Sequence, residues 1–345
     1  MSNGADPKTP RIPSNCWFEE AIAPGLKVKT ELKEMMFRQH SGFQLVEVIE
    51  TTTFGRTLVL DGLTQSAELD EFCYHESLVH PAMLRSAMLS GDDSGPKSVF
   101  IGGGGEMATA REVLRHKSVE RLVMVDLDGM VVDVSKKYLP EWGGEAVASD
   151  PRLQLVIGDA YQWLMETEET FDVIIMDICD PVEAGPGIVL YTKEFYEHAL
   201  TRLNKPHGVL VTQSGSAHSI PIIVGSSEDD PACFGPIVNT LKSVFDCAVP
   251  FSTHLPSFGG DWGFTMAFNA PEGESAEEAE NKSKDPGKGE VDALIESRIE
   301  GGEESLGFYD STSHLRMFHL AKPLRKSLSN EKRIMTKADP IYMFS

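Results

Sequence analysis

The sequence VFIGGGGEMATARE at residues 99–112 decides the fold of this 345-residue chain. An apolar strand runs into four glycines and then into a helical segment, and VMVDLD at residues 123–128 adds a second strand that ends in acids. A strand, a glycine turn, a helix and an acidic strand end form the layout of a nucleoside-binding α/β sheet. The stretch therefore predicts that the chain binds a nucleoside.

Glu106, at the end of the glycine turn, indicates which kind of nucleoside is bound. Dinucleotide sites leave this helix N-terminus open to a pyrophosphate anion. A carboxylate at that position repels phosphate, but it attracts the amine and sulfonium of an adenosylmethionine-type donor. Gly103, Gly104, Gly105 and Glu106 are therefore expected to contact a sulfonium nucleoside.

Strands and helices alternate from residue 97 onward, which predicts an α/β fold with a Rossmann-like, doubly wound sheet. Upstream, short alternating runs with turn residues such as Asp61-Gly62 predict a small N-terminal antiparallel β domain. The expected units are a flexible tail at 1–15, a β-strand domain at 16–80, a catalytic domain at 81–270, an acidic linker or loop at 271–290 and a partly helical C-terminal extension at 291–345, with a helix near 313–328.

Polar residues follow the strands at the carboxyl edge of the predicted sheet, where such sheets bind ligands. After Glu106 they are Asp126, Asp159 with Ala160, the pair Asp177 and Asp180, and Gln213. A single acid at a loop start fits helix capping as well as binding, but acids after four strands favour a functional site. Asp126 lies 20 residues after Glu106, a spacing typical of a carboxylate that binds ribose hydroxyls.

The sequence DICDP at residues 177–181 is expected to carry the chemistry. Pro181 disfavours helical backbone at Asp180, so both carboxylates can point into one cleft. An amine acceptor with a pKa of about 10.4 is almost fully protonated at neutral pH and needs a carboxylate to receive its proton. Asp177 is the expected base and Asp180 the expected anchor, and the alternative is that the pair caps a tight turn.

Composition narrows the possible partners. The net charge of −22 disfavours nucleic acids and anionic membranes and favours cationic ligands. Five cysteines without metal-ligand spacing indicate reduced thiols. No membrane-length apolar segment or targeting sequence is visible, so a cytoplasmic location is expected.

The chain resembles the spermidine synthase family of aminopropyltransferases over residues 16–270. The resemblance rests on IGGGGEMATARE, VMVDLD, VIGDA, DICDP, LYTKEFY and LVLDGLTQSAELDEFCYHE, which occur at the expected spacings. YHESLVHP at 74–81, DPVEAGP at 180–186 and HLPSF at 254–258 are most similar to thermospermine synthases. The implied fold is class I methyltransferase-like.

This resemblance implies transfer of an aminopropyl group from decarboxylated S-adenosylmethionine, as co-substrate, to spermidine, giving thermospermine and 5′-methylthioadenosine. It implies no prosthetic group, no metal, and a homodimer or higher homo-oligomer. The residues implied to hold the donor nucleoside are Gln44, Gly103, Gly104, Gly105, Glu106, Asp126, Asp159, Ala160 and Pro186. Those implied on the polyamine side are Gln65, Tyr74, His75, Glu106, Asp180 and Gln213, with Asp177 as proton acceptor.

Three alternatives stay open: a spermidine or spermine synthase, an S-adenosylmethionine-dependent methyltransferase, and a noncatalytic nucleoside- or polyamine-binding protein. Glu106 opposes a methyltransferase because it would repel the donor's carboxylate. Three features depart from the family pattern. Met107 stands where the family usually has glycine, and the stretch 216–234 is longer than the usual connection. His254 and Leu255 stand near the late Pro-Ser turn, where spermidine synthases have a tyrosine.

Overall fold

The first of two β-sheets is an antiparallel meander near the N-terminus. This computed structural model describes residues 15–23, 25–90, 95–183, 185–218, 233–287 and 289–343. The strands lie in sequence order: β1 (Trp17–Ala23), β2 (Leu26–His40), β3 (Leu45–Thr51), β4 (Gly55–Leu60) and β5 (Leu63–Ala67). Asp61 and Gly62, with φ of 50° and 83°, make the two-residue turn between β4 and β5, as expected for a tight hairpin. The predicted N-terminal β-sheet is confirmed.

The second sheet is the Rossmann-like one. Its strands are β6 (Ser98–Gly103), β7 (Arg121–Asp126), β8 (Leu153–Ile157), β9 (Val173–Asp177), β10 (Val209–Ser216), β11 (Cys247–Leu255) and β12 (Gly260–Phe268). They lie in the order β11-β12-β10-β9-β6-β7-β8, with β6 to β10 parallel and β12 antiparallel to its neighbours. The chain direction across the sheet reverses at β6, and ligands bind beyond the strands at such a switch point.

Helices cover both faces of this sheet. They are α1 (Glu71–Ser90), α2 (Ala108–Leu114), α3 (Gly129–Tyr138), α4 (Gly144–Ala148), α5 (Ala160–Glu166), α6 (Lys193–Thr201), α7 (Phe234–Lys242), α8 (Ala276–Lys284), α9 (Glu290–Arg298), α10 (Ser311–Phe318) and α11 (Lys322–Asn330). Val99 and Ile101 of β6 face one core cluster and Phe100 faces the other. A parallel strand buried on both faces needs such a continuous apolar run.

Helix α1 joins the large sheet. It packs against α2, β9, β10 and β11, although half of it falls within the β domain expected at 16–80. Its first turns therefore carry Tyr74 and His75 to the carboxyl edge of the large sheet.

The acidic stretch 271–290 is not a loop throughout, so that expectation is wrong for residues 276–284. Helix α8 forms there and packs on β11, with Ala279 fully buried. Ser275 and Glu278 form a capping box at its start, which satisfies backbone donors that a loop would leave to water.

The helix expected near 313–328 is two helices, α10 and α11. Pro323 lies in the first turn of α11, where proline favours a helix start over continuation of a preceding helix. Residues 1–14 of the expected tail and 219–232 of the long connection lie outside the described residues.

The five cysteines lie within the described residues and form no disulfide bond. Among the helices of the described ranges, none combines the length and the apolar character that a bilayer crossing requires.

Candidate active site

The glycine turn brings the end of β6 against the end of β9. Gly103 and Gly104 have φ of 85° and 77°, and Gly104 N–H donates to the carbonyl of Asp177 at 3.0 Å. A Cβ at Gly103 would lie 2.0 Å from that carbonyl oxygen. Only glycine fits this contact, and it places Asp177 beside the turn.

Met107 follows this turn in a left-handed conformation, with φ of 79°, and its side chain is fully buried. It is the residue that departs from the family's glycine. A non-glycine residue adopts this conformation only under restraint from its surroundings. The structure therefore keeps the glycine-type turn with a methionine in it.

Asp177 is buried and held by two hydroxyl groups. Tyr74 Oη donates to its Oδ1 at 2.7 Å, and Thr109 Oγ1 donates to its Oδ2. Burial, with a further contribution from Glu106, raises the pKa of Asp177 to about 6. The carboxylate is thus ionised at neutral pH and close to the range in which it can hold a proton, as a general base requires.

His75 lies between two glutamates on the other side of this cluster. Its Nε2 is 3.2 Å from Glu106 Oε1 and its Nδ1 is 2.8 Å from Glu71 Oε2. Arg111 binds Glu71 through two guanidinium contacts of 2.9 Å. Burial opposes a charged imidazole, but the bonds to Glu106 and Glu71 raise the pKa of His75 to about 10. His75 is therefore a cation that orients Glu106.

Ligand atoms of His75, Glu106 and Asp177 all lie within 4.8 Å of one another. This spacing alone would suit a metal ion. However, His75 Nε2 is already hydrogen-bonded to Glu106, and both oxygens of Asp177 accept hydrogen bonds from Tyr74 and Thr109. The donor set fits an organic cation better than a metal ion.

Asp126, expected at the ribose, organises the neighbouring loop. It accepts from Gly105 N–H at 2.9 Å and from Asp128 N–H at 2.8 Å, and burial raises its pKa to about 7. Gln44 reaches over from the first sheet and donates to Asp128 at 3.0 Å. The turn between β2 and β3 thus contacts the loop that follows β7.

Asp159 takes the role of a helix cap in the structure. Its exposed carboxylate accepts from Tyr161 N–H at 2.8 Å, and α5 begins at Ala160. The sequence left capping and binding open for this residue, and the structure shows the cap without testing the binding role. For Pro186, the structure describes the backbone, which begins a 3₁₀ helix, but not the side chain.

The loop after Asp177 is held by hydrogen bonds to Gln213 of β10. Gln213 Nε2 lies within hydrogen-bond distance of three acceptors, which share its two hydrogens: Asp180 Oδ1 at 3.1 Å, the carbonyl of Ile178 at 2.7 Å and Tyr191 Oη at 2.6 Å. Burial raises the pKa of Asp180 to about 6. The sequence expected Asp180 and Gln213 near the same ligand, and the structure joins them directly.

Gln65, at the centre of β5, lies beside this loop. Its Nε2 donates to the carbonyl of Leu63 at 3.1 Å, and its Oε1 is 3.5 Å from Cys179 Sγ. Gln65 therefore approaches Cys179 in the middle of the DICDP stretch, and not the cluster formed by His75, Glu106 and Asp177.

Sequence reasoning missed four residues that hold the site together. Thr109 binds Asp177 and Tyr191 binds Gln213, while Glu71 binds His75 and is itself held by Arg111. Thr109 lies three residues after Glu106, at the start of α2, and Tyr191 lies in the LYTKEFY motif. Both were therefore visible as positions, but their partners are distant in sequence and depend on the tertiary structure.

A mostly parallel sheet with a glycine turn and acids clustered at its carboxyl edge is typical of a transferase that uses a cationic nucleoside donor. The spermine/spermidine synthase domain model matches residues 71–272, and the spermidine synthase tetramerisation domain model matches residues 16–68. The chain belongs to the spermine/spermidine synthase family.

Relatives of known activity match most of the chain. A polyamine aminopropyltransferase of Aeropyrum pernix is 37% identical over 332 residues, which cover 95% of this chain and 95% of the relative. Thermospermine synthase ACAULIS5 of Arabidopsis thaliana is 37% identical over 325 residues, which cover 93% of this chain and 85% of the relative. The chain is therefore an enzyme of the polyamine aminopropyltransferase class, with decarboxylated S-adenosylmethionine as co-substrate.

Solved structures agree with this class. A spermidine synthase in complex with the transition state analogue AdoDATO has a TM-score of 0.76 and 26% identity, covering 94% of this chain and 99% of that one. Spermidine synthase of Thermotoga maritima has a TM-score of 0.74 and 25% identity, covering 94% and 98%. The Rossmann-like fold is confirmed, and the tetramerisation domain indicates a homo-oligomer.

Proposed function

We propose that this enzyme transfers the aminopropyl group of decarboxylated S-adenosylmethionine to spermidine and forms thermospermine. The observation that carries the site assignment is Asp177, buried between Tyr74 and Thr109 and next to the His75–Glu106 pair. The similarity to a thermospermine synthase and the motifs at 74–81, 180–186 and 254–258 support the choice of acceptor.

In the proposed reaction, the acceptor nitrogen attacks the carbon next to the sulfonium. The new carbon–nitrogen bond forms as the carbon–sulfur bond breaks, and the bonding electrons stay on sulfur, so neutral 5′-methylthioadenosine leaves. The proton of the amine passes to Asp177. A neutral thioether is a good leaving group, so alignment and electrostatics supply most of the acceleration.

The remaining candidates divide between the two substrates. Glu106 and Asp180 bind amino groups of the aminopropyl donor and the acceptor, and Tyr74, His75, Gln65 and Gln213 line the acceptor side. On the donor side, Gly103, Gly104 and Gly105 form the turn, and the nucleoside is held by Gln44, Asp126, Asp159, Ala160 and Pro186. The acids at the strand ends support this division because both substrates are cations.

Product analysis tests the proposal. The enzyme is incubated with decarboxylated S-adenosylmethionine and either spermidine or putrescine, and the polyamines are separated by chromatography against thermospermine and spermine standards. Thermospermine from spermidine, with an equal amount of 5′-methylthioadenosine, is the expected result. Spermine, or spermidine from putrescine, would show a different acceptor or attachment end. S-adenosylhomocysteine formed from S-adenosylmethionine would identify a methyltransferase, and donor binding without product would identify a binding protein.

The same proposal includes a homodimer or higher homo-oligomer that works in the cytoplasm. The tetramerisation domain match supports the assembly, and the five cysteines without disulfide bonds support a reducing location. Light scattering on the purified enzyme distinguishes a dimer from a tetramer.

A further inference from the structure

The C-terminal segment, residues 333–343, begins against helix α7 and ends at the ligand-binding edge of the large sheet. Asn239 of α7 donates to the carbonyl of Arg333 at 2.9 Å, and Met335 N–H donates to Thr240 Oγ1 at 2.9 Å. The Met335 carbonyl then accepts from Lys193 N–H at 2.8 Å. The Met335 side chain is fully buried, so the segment is anchored before it reaches the site.

Further along, the segment passes the start of α5. Lys337 Nζ donates to Tyr161 Oη, and Lys337 N–H donates to Glu194 Oε2 at 3.2 Å. Ile341 and Met343 then pack against the core cluster that contains Tyr191. The segment therefore follows the edge of the sheet toward the DICDP loop.

Its last described residue bonds to that loop. Met343 N–H donates to the carbonyl of Pro181 at 2.8 Å. On the other side of Asp180, Gln213 binds the carbonyl of Ile178 and Tyr191 Oη binds the carbonyl of Cys179 at 3.1 Å. Pro181 has no N–H to donate, so its carbonyl is the backbone group through which residue 181 is held. The local turn adds a bond from Val182 N–H to the Asp180 carbonyl at 2.9 Å, and the bond from Met343 is the one that comes from a distant part of the chain.

We propose that the C-terminal segment positions Asp180 for the acceptor through the bond from Met343 N–H to Pro181. The inference rests on the proposed function, in which Asp180 anchors the acceptor. Residue 178 is held by Gln213 of β10, residue 179 by Tyr191 of the 3₁₀ helix Pro186–Tyr191 and residue 181 by the segment, so Asp180 is held on both sides. Met343 is a positioning residue that acts through backbone and not through its side chain.

A matched pair of substitutions tests the role of the backbone donor. Met343→Pro removes the N–H, whereas Met343→Ala keeps it and removes most of the side chain. Loss of one hydrogen bond that orients a charged anchor should raise KM for spermidine at least about fivefold in Met343→Pro. Met343→Ala should stay within about twofold of the wild type. The dissociation constant of 5′-methylthioadenosine should change in neither variant.

A chain that ends at residue 342 lacks the same donor and serves as the second variant if Met343→Pro does not fold. A merely structural role would lower the active fraction, and hence kcat, at unchanged acceptor KM. Unchanged KM in the folded donor-free variant, or equal effects of the proline and alanine substitutions, overturns the inference.

The wild-type enzyme separates this inference from the proposed function. Wild-type transfer to putrescine alone would contradict the proposed acceptor, and the comparison of KM values would then use putrescine. A wild-type enzyme that transfers no aminopropyl group would overturn the proposed function and the inference with it. Normal wild-type turnover with unchanged KM in the variants would overturn the inference alone.

Discussion

Asp177 is the residue on which the proposed chemistry depends. Asp177→Asn keeps the shape of the side chain but removes the proton acceptor, so kcat should fall by about 10²–10⁴. The dissociation constant of 5′-methylthioadenosine should stay within about threefold, because this product carries no reacting amine. Single-turnover kinetics and calorimetry measure the two quantities.

Asp150→Asn is the matched control, since Asp150 is paired with Arg152 outside the site at 2.7 Å. It should leave kcat unchanged. More than a tenth of wild-type kcat in Asp177→Asn would show that another group or water accepts the proton.

At the residue level, the sequence predicts the acids that a strand-end rule can select, such as Glu106, Asp177 and Asp180. It could not predict that Glu71 hydrogen-bonds His75 and raises its pKa, or that Arg111 holds Glu71 in place. Glu71 is one helical turn from His75, but the contact with Arg111 spans 40 residues and two helices. Such contacts follow from how α1 packs on α2, which no local pattern encodes.

At the level of elements, Glu76 connects helix α1, which carries Tyr74 and His75, to the C-terminal extension. Its buried carboxylate accepts backbone N–H groups from Gly307, Phe308 and Tyr309 at 2.7, 2.8 and 2.8 Å. A glutamine offers one acceptor oxygen and turns an NH₂ toward N–H groups. Glu76→Gln should therefore lower the melting temperature by roughly 5 °C.

Differential scanning calorimetry at fixed protein concentration measures this change, with the exposed Glu304→Gln as the control. A melting temperature equal to that of the control would mean that solvent replaces the three bonds at no cost.

The strongly patterned elements were predictable, and the weakly patterned ones were not. Apolar runs gave the parallel strands, and Asp61-Gly62 gave the hairpin. Helix α8 buries little more than Ala279, so hydrophobic periodicity could not reveal it, although Ser275 and Glu278 match the capping-box signature. Pro323 similarly marks the break between α10 and α11.

At the level of the whole molecule, three acids at the ligand-binding edge are buried or half-buried: Asp177 is buried, and Asp126 and Asp180 are half-buried. Burial raises the pKa of Asp126 to about 7 and the pKa values of Asp177 and Asp180 to about 6. These three acids lie at one edge of the large sheet, where the sequence predicts the binding of cationic ligands. Substrate binding should relieve a cost that the free protein bears.

The free enzyme should therefore lose stability as the pH rises from 5.5 to 8. A carboxyl with a raised pKa in the folded state stabilises the fold fully below its unfolded pKa, about 3.9 for aspartate, and loses that contribution as the pH rises through the folded value. His75, with a pKa of about 10, adds a loss in the same direction above about pH 6.5. The buried His116 and His314, whose pKa values burial lowers, oppose this loss because only the unfolded chain protonates them below about pH 6.5. Three acids and His75 outweigh these two histidines, so the melting temperature of the ligand-free enzyme should fall by a few degrees across this range. Asp126→Asn should flatten the dependence of the melting temperature on pH. Spermidine should raise the melting temperature more at pH 8 than at pH 5.5, because it meets more ionised carboxylates there.

A melting temperature that is constant or rises with pH, in wild type and Asp126→Asn alike, would contradict the raised pKa values assigned to these acids.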